Sequence, residues 1–352
     1  MTSRRTRAST AITSFPALVA VATFAVFSVT IAALGLSPLA TLALVPVPAL
    51  VTYGIARKAR GVPPTLAGVQ GRAPRAPGGL PRYQLVAMPV NHFGEKLRWC
   101  LDLLGVPYEE STVGGILSVV LRGRSVPWLV DRQTCSLLGN SDEALWYLSA
   151  VHVPLMEGAA REHALALLRR DPGTMAWESR LNAVGHAVQG WAYYYLVGKG
   201  ADPELSLRFW GGREPEVPWL HRLAIRLGHP ILEQGMRRAF ALHDEALMQK
   251  RLGIITSLLD DADAALARNG GRYLTGDSLS YVDVAFAALI GPLLSTTVLP
   301  HWAGGRFTSF APLAGHPGTP RELVDFEQAL RARPAGQHVE RLFRDWRGHR
   351  FG

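Results

Sequence analysis

Forty-nine consecutive residues, Ala8 to Ala56, carry no charged side chain. A run of that length and apolarity cannot be packed into the surface of a water-soluble domain. A helix needs about 20 apolar residues to cross a hydrocarbon core of about 30 Å, and this run holds two such spans. They cover about Ala11–Leu34 and Leu39–Ile55, interrupted at Gly35–Pro38, with Pro46 and Pro48 weakening the second. Cations stand at both outer ends, Arg4, Arg5 and Arg7 before the run and Arg57, Lys58 and Arg60 after it, with none in the central turn. The positive-inside bias then describes a transmembrane helical hairpin over residues 1–57, with the rest of the chain on the cytoplasmic side. A cleavable signal has an apolar core of only about 7–15 residues, and a single span with an interfacial second segment is the other alternative. Residues 58–82 are basic, rich in Pro and Gly and without hydrophobic period, and read as a linker.

The net charge of +9 belongs to this N-terminal part. Residues 1–82 hold nine cations and no acid, which leaves 28 Lys+Arg against 28 Asp+Glu in residues 83–352. A neutral body gives nucleic-acid binding little electrostatic support. Two cysteines, Cys100 and Cys135, are too few for a disulfide framework and read as buried thiols. No HExxH, Cys/His cluster, glycine fingerprint or phosphate-binding loop is present, so no metal is expected.

Past the linker the hydrophobic pattern changes twice. Tyr83–Pro89 reads as a strand, and Phe93, Leu97, Cys100, Leu101 and Leu104 then fall on one helical face that stops at Gly105. "VPYEEST" is a second strand and Gly114–Arg124 a short helix or crossover. "SVPWLVD" and "QTCSLLGNS" form a hairpin, and a helix starts at Ser141. The order β-α-β-α-β-β-α over residues 83–152 precedes a stretch, 153–352, that is almost wholly helical. Helices are expected over about Glu157–Arg170, Met175–Val197, Pro218–Leu227, Pro230–Arg268, Ser280–Thr297, Pro320–Arg331 and Ala335–Trp346. Ser280 and Asp283 have the spacing of a capping box, with Leu279 placed to staple onto Val284.

Three patches in this order resemble the cytosolic glutathione S-transferase family. "NHFGEKLRWCLDLLGVPYEE" is similar to the family's first loop and helix, "SVPWLVD…LLGNSDEALWYL" to its Val-Pro turn and third helix start, and "YLTGDSLSYVDVAFAAL" to the capping motif of its second domain. "RPAGQHVERLF" resembles a familiar bacterial ending. The resemblance covers roughly Tyr83 to Arg350. It implies a thioredoxin-like α/β domain, then an all-α domain, with glutathione as co-substrate, an apolar electrophile as second substrate and a homodimer.

It also implies roles for particular residues. Ser141, beside Asn140 and Asp142, would meet the γ-glutamyl carboxylate at the helix start, which physics favours independently because a helix N-terminus attracts anions. The alternative is that Ser141 only caps its helix. Pro127 would be cis and leave the backbone of Val126 to pair with the glutathione peptide. Asn91 stands where relatives carry the Ser or Cys that meets the sulfur. Its carboxamide offers two N–H donors to a thiolate but no nucleophile, which argues against thiol-exchange chemistry. The competing role is that Asn91 caps the helix without catalysis. His92 is a second candidate donor, otherwise a solvent-facing loop residue. Of "GWAYYYLVG", Trp191 and Tyr195 share one helical face and read as core rather than pocket. Three functions follow: a membrane-tethered transferase that conjugates or isomerises apolar electrophiles, a non-catalytic binding or assembly module held at a membrane, or a transferase that uses a different low-molecular-weight thiol.

Overall fold

The computed structural model describes residues 29, 80–88, 91–112, 126–198, 200–213, 215, 217, 219–294 and 316–347. The expected membrane hairpin, nearly all of the linker and the Gly114–Arg124 crossover lie outside the described residues. Among the described residues no helix is long and apolar enough to cross a membrane.

Four strands make one sheet in the order β2-β1-β3-β4: β1 Tyr83–Ala87, β2 Tyr108–Thr112, β3 Trp128–Asp131 and β4 Ser136–Leu138. β1 runs parallel to β2 and antiparallel to β3, and β3 runs antiparallel to β4. The pleat sends successive side chains to opposite faces. Tyr83, Leu85, Ala87 and Leu129 therefore join the large core shared with the helices, while Val86, Met88, Val126, Trp128 and Val130 form a separate cluster. Helix α1, His92–Leu103, links β1 to β2, and Cys100, Leu97 and Leu101 on it are fully buried. Burial pushes the Cys100 thiol up to about 12, so it stays protonated and inert. Cys135, expected to be buried, is half-buried in the β3–β4 turn with φ 59°.

Helix α2, Ser141–Tyr147, continues through a π-helical turn, Leu148–His152, and a 3-10 turn, Val153–Leu155. The helical part comprises α3 Gly158–Leu167, α4 Pro172–Val197, α5 Pro203–Phe209, α6 Trp219–Ala239, α7 Glu245–Arg268, α8 Tyr281–Ile290, α9 Arg321–Arg331 and α10 Pro334–Trp346. α4 packs along α7, and α8 wedges between α1 and α4. α8 is apolar and buried on every side, as a central helix must be. The capping box expected at its start forms. Buried Asp283 accepts from Ser280 N at 3.1 Å, Ser280 Oγ at 2.8 Å and Leu274 N at 2.7 Å. The helix ends sooner than Thr297, passing into a 3-10 turn at Gly291–Leu294.

Helix boundaries around Pro230 also differ from the sequence reading. Pro230 lies inside α6 instead of before a new helix. The real break comes at Phe240–His243, where Ala241 takes φ 47° and Asp244 then caps α7 by accepting from Leu247 N at 2.9 Å. α5 was not anticipated; its cap is Asp202, which accepts from Glu204 N at 2.9 Å.

Candidate functional site

Strand register brings the predicted residues together. Val86 pairs with Trp128, so the chain leaving β1 toward Asn91 and the chain entering β3 through Val126–Pro127 share one end of the sheet. Leu138 pairs with Leu129, which brings the exit of β4, Gly139 to Asp142, to the same end. Asn91, Val126, Pro127, Asn140, Ser141 and Asp142 thus converge on one edge although they span 52 positions in the chain. The Val126–Pro127 peptide is cis, as the resemblance implied. Val126 sits two residues before the first paired residue of β3, so the ladder does not use its backbone groups.

Asn91 is the N-cap of α1. Its Oδ1 accepts from Gly94 N at 2.6 Å, which satisfies one of the helix's orphan donors. That bond uses the carboxamide oxygen and leaves the two N–H donors of the same group for another acceptor. Capping and thiolate stabilisation are therefore compatible at this side chain. Gly94 allows the tight turn: a Cβ there would lie 3.2 Å from the Cβ of Ala87.

His92 is not a solvent-facing loop residue. It is buried in the first turn of α1, and its Nε2 lies 3.1 Å from the carbonyl oxygen of Gly185 on α4. Burial lowers its pKa to about 4, against the opposing pull of that carbonyl. A neutral imidazole tied to a backbone oxygen fixes the junction between α1 and α4, with the His92 and Phe93 rings 4.4 Å apart. Gly185 is what admits them, since a Cβ there would lie 2.5 Å from Phe93 Cζ.

At the start of α2 the cap is Asn140, not Ser141: Asn140 Oδ1 accepts from Glu143 N at 2.8 Å. Ser141 is the first helical residue and almost wholly buried. Asp142 forms an ion pair with Lys96 of α1, whose side chain is itself buried. The ammonium offsets one of the two carboxylates in the first turn of α2; the other, Glu143, accepts from Gly139 N at 3.2 Å. Lys96 lies in the quoted "GEKLRW" patch, yet nothing in the sequence pairs it with a residue 46 positions away. Farther along α2, Tyr147 OH donates to Asp131 Oδ2 at 2.8 Å and anchors the helix to β3.

The aromatic run on α4 divides. Trp191 is core, its ring tilted against that of Phe326 at 4.9 Å, and Tyr193 is core between Phe209 and Phe240. Tyr194 and Tyr195 instead line a cavity of 840 Å³ with Asp202, Arg237, His243 and Glu322. Tyr195 is ten residues beyond Gly185 on the same helix, about 15 Å at 1.5 Å per residue. The cavity is therefore remote from the Asn91 edge. Ser280 and Asp283 are likewise structural, with His338 Nε2 also 3.3 Å from Asp283 Oδ1. Among the described residues no group of His, Cys, Asp and Glu is arranged to hold a metal.

No known family's sequence model matches the chain, and no curated protein does. Solved structures do. A β-etherase, LigF from Sphingobium sp. strain SYK-6, is 18% identical over 73% of this chain and 98% of its own, with a TM-score of 0.40. A glutathione transferase family member from Pseudomonas fluorescens pf-5, with two glutathione bound, is 20% identical over 75% and 95%, with a TM-score of 0.38. A glutathione S-transferase of Ceriporiopsis subvermispora in complex with glutathione is 14% identical over 75% and 97%, with a TM-score of 0.43. Likeness at this level carries no argument about chemistry, which has to come from the chain's own geometry.

Proposed function

We propose that this chain is a membrane-tethered, glutathione S-transferase-like enzyme that binds glutathione and joins it to apolar electrophiles. The observation that carries the reading is the convergence on one sheet edge of Asn91, the cis Val126–Pro127 peptide and the α2 start with its buried Ser141. In this reading Ser141 and the first N–H groups of α2 receive the γ-glutamyl carboxylate, and Lys96 keeps Asp142 from repelling it. The backbone of Val126 pairs with the extended tripeptide. The Asn91 carboxamide donates to the sulfur and favours the thiolate over the thiol. The thiol proton leaves to solvent, the thiolate attacks an electrophilic carbon, a C–S bond forms and the leaving group departs with its electron pair. The apolar run at residues 8–56 supports a tether that holds the body against the cytoplasmic leaflet, where apolar electrophiles concentrate.

The test is conjugation of glutathione to a halodinitrobenzene by the full chain in lipid nanodiscs, comparing Asn91→Ala with Asn91→Ser. Serine keeps both a cap and a hydroxyl donor, so Asn91→Ser retains turnover and Asn91→Ala loses about 10-fold or more, the worth of one charge-assisted hydrogen bond. Equal turnover in all three would refute the role of Asn91. A second reading, a non-catalytic binding module, keeps Asn91 as a helix cap and assigns its N–H donors no thiolate. It predicts glutathione binding without turnover.

A further inference from the structure

Helix α6 has two apolar faces where a surface helix normally has one. Ile225 and His229 are buried, and Leu232, Met236 and, just past the helix, Phe240 pack against the core. On the opposite side Trp219, Leu220, Leu223, Leu227 and Ile231 are open to solvent, Leu227 and Ile231 at 76% and 79% of their full area. Trp219, Leu223, Leu227 and Ile231 follow one another at four-residue intervals, so they form a single stripe about 18 Å long. Isolated exposed apolar residues are ordinary; a contiguous row of five on one helix marks a surface that something covers.

We infer that this stripe is a second membrane contact: α6 lies flat in the headgroup region of an anionic bilayer. The helix's charges support a lipid occupant. Arg222, Arg226 and Arg238 add three cations to a helix whose single acid, Glu233, is paired with Arg237 at 2.7 Å, giving the amphipathic, basic, Trp-bearing composition of an interfacial helix. Lipid phosphates would neutralise those guanidinium groups. A second copy paired through the same face would set the same cations near one another. The inference rests on the tether reading: 25 residues, the length of the 58–82 linker, span about 30 Å in a random coil. A body held that close must turn one face to the bilayer, and α6 makes that face apolar and basic.

The experiment uses the full chain with Cys135→Ser, since Cys100 is buried beyond the reach of a label. A nitroxide is placed in turn at Leu223→Cys, Leu227→Cys and Ile231→Cys, and at Glu162→Cys on the exposed face of α3 as a reference. The protein is reconstituted in vesicles of phosphatidylcholine with phosphatidylglycerol. Power saturation then compares access of oxygen, which concentrates in lipid, with access of a water-soluble nickel chelate. The expected result is an oxygen-to-nickel ratio several-fold higher at all three stripe positions than at residue 162. The ratio should fall toward the reference when Arg222→Gln and Arg238→Gln are combined. Stripe labels as open to the chelate as the reference would place α6 in water and overturn the inference. Labels closed to both reagents would mean that protein covers the stripe, and would overturn it equally. Alkaline carbonate extraction separates the two readings. A chain released from the vesicles contradicts the tether and this contact with it, whereas a retained chain with a water-exposed stripe contradicts the α6 contact alone.

Discussion

Removing Arg347 tests how the helical part is held to the sheet domain. This guanidinium, just beyond α10, is buried against α1. Its Nε donates to Glu95 Oε1 at 2.5 Å and its Nη1 to Asp102 Oδ2 at 3.0 Å, with its carbon 5.8 Å from the Trp99 ring centre. Arg98 completes the network, donating to Glu95 at 2.6 Å and, through two nitrogens, to Glu110. Breaking a buried ion pair by deleting one partner costs about 3–5 kcal/mol, because the other charge stays buried. In Arg347→Met, Glu95 keeps Arg98 and Asp102 keeps the Tyr108 hydroxyl at 3.3 Å, so the low end, about 3 kcal/mol, is expected at pH 7. The pH dependence sharpens the test. Burial alone would raise the Glu95 pKa, but Arg347 and Arg98 outweigh it and hold the carboxyl below its usual range. A carboxylate with a depressed folded pKa contributes stability above its unfolded pKa and loses it as pH falls through the folded value. Without Arg347 the folded pKa rises, Glu95 protonates at higher pH, and the buried charge is relieved. The penalty should therefore shrink between pH 7 and about pH 4.5. Urea unfolding of the detergent-solubilised chain at both pH values measures it. A penalty under about 1 kcal/mol, or one that does not change with pH, would refute the account of the network.

Three further outcomes follow from individual sites. Gly185→Ala should destabilise by about 1–3 kcal/mol, because its Cβ would lie 2.5 Å from Phe93 and 3.1 Å from Leu289; thermal unfolding reads it. Asp283→Ala should cost about 3 kcal/mol or more, since it strands the buried donors of Leu274 and Ser280; denaturant midpoints read that. His92, with a folded pKa of about 4, should remain neutral in NMR titration down to that pH. The unfolded imidazole takes its proton near pH 6.5, so the fold loses stability as pH drops from there toward about 4, and His92→Phe should flatten that slope. A His92 signal titrating near 6.5 would contradict its burial.

Local chemistry made much of this fold readable. The Ser280–Asp283 box needs only a three-residue spacing, and the β1–α1–β2 order needs only periodicity over Tyr83–Thr112. Other features depend on backbone tolerance or on partners distant in the chain. The sequence pattern starts a helix at Pro230, yet the proline lies at an exposed position inside α6. The true break depended on Ala241 adopting a positive φ, which an alanine does not advertise. Asn140 and Ser141 are both good caps, so their sequence does not say which one turns outward. The ion pairs Lys96–Asp142 and Arg347–Glu95 join residues 46 and 252 positions apart, and only the assembled helices bring them together. His92 looked like a loop residue because the carbonyl that buries it belongs to Gly185, 93 positions later.

The central claim is that the sheet edge formed by Asn91, Val126–Pro127 and Ser141 holds glutathione. The most direct measurement is calorimetric titration of glutathione into the full chain in nanodiscs near neutral pH, alongside Ser141→Ala. Because Asn140 rather than Ser141 caps α2, that substitution should leave the fold intact. The account predicts saturable binding that Ser141→Ala weakens by about 10-fold, the loss of one hydrogen bond to a charged group. A folded chain that takes up no glutathione, or binds it equally well with Ser141→Ala, would contradict it.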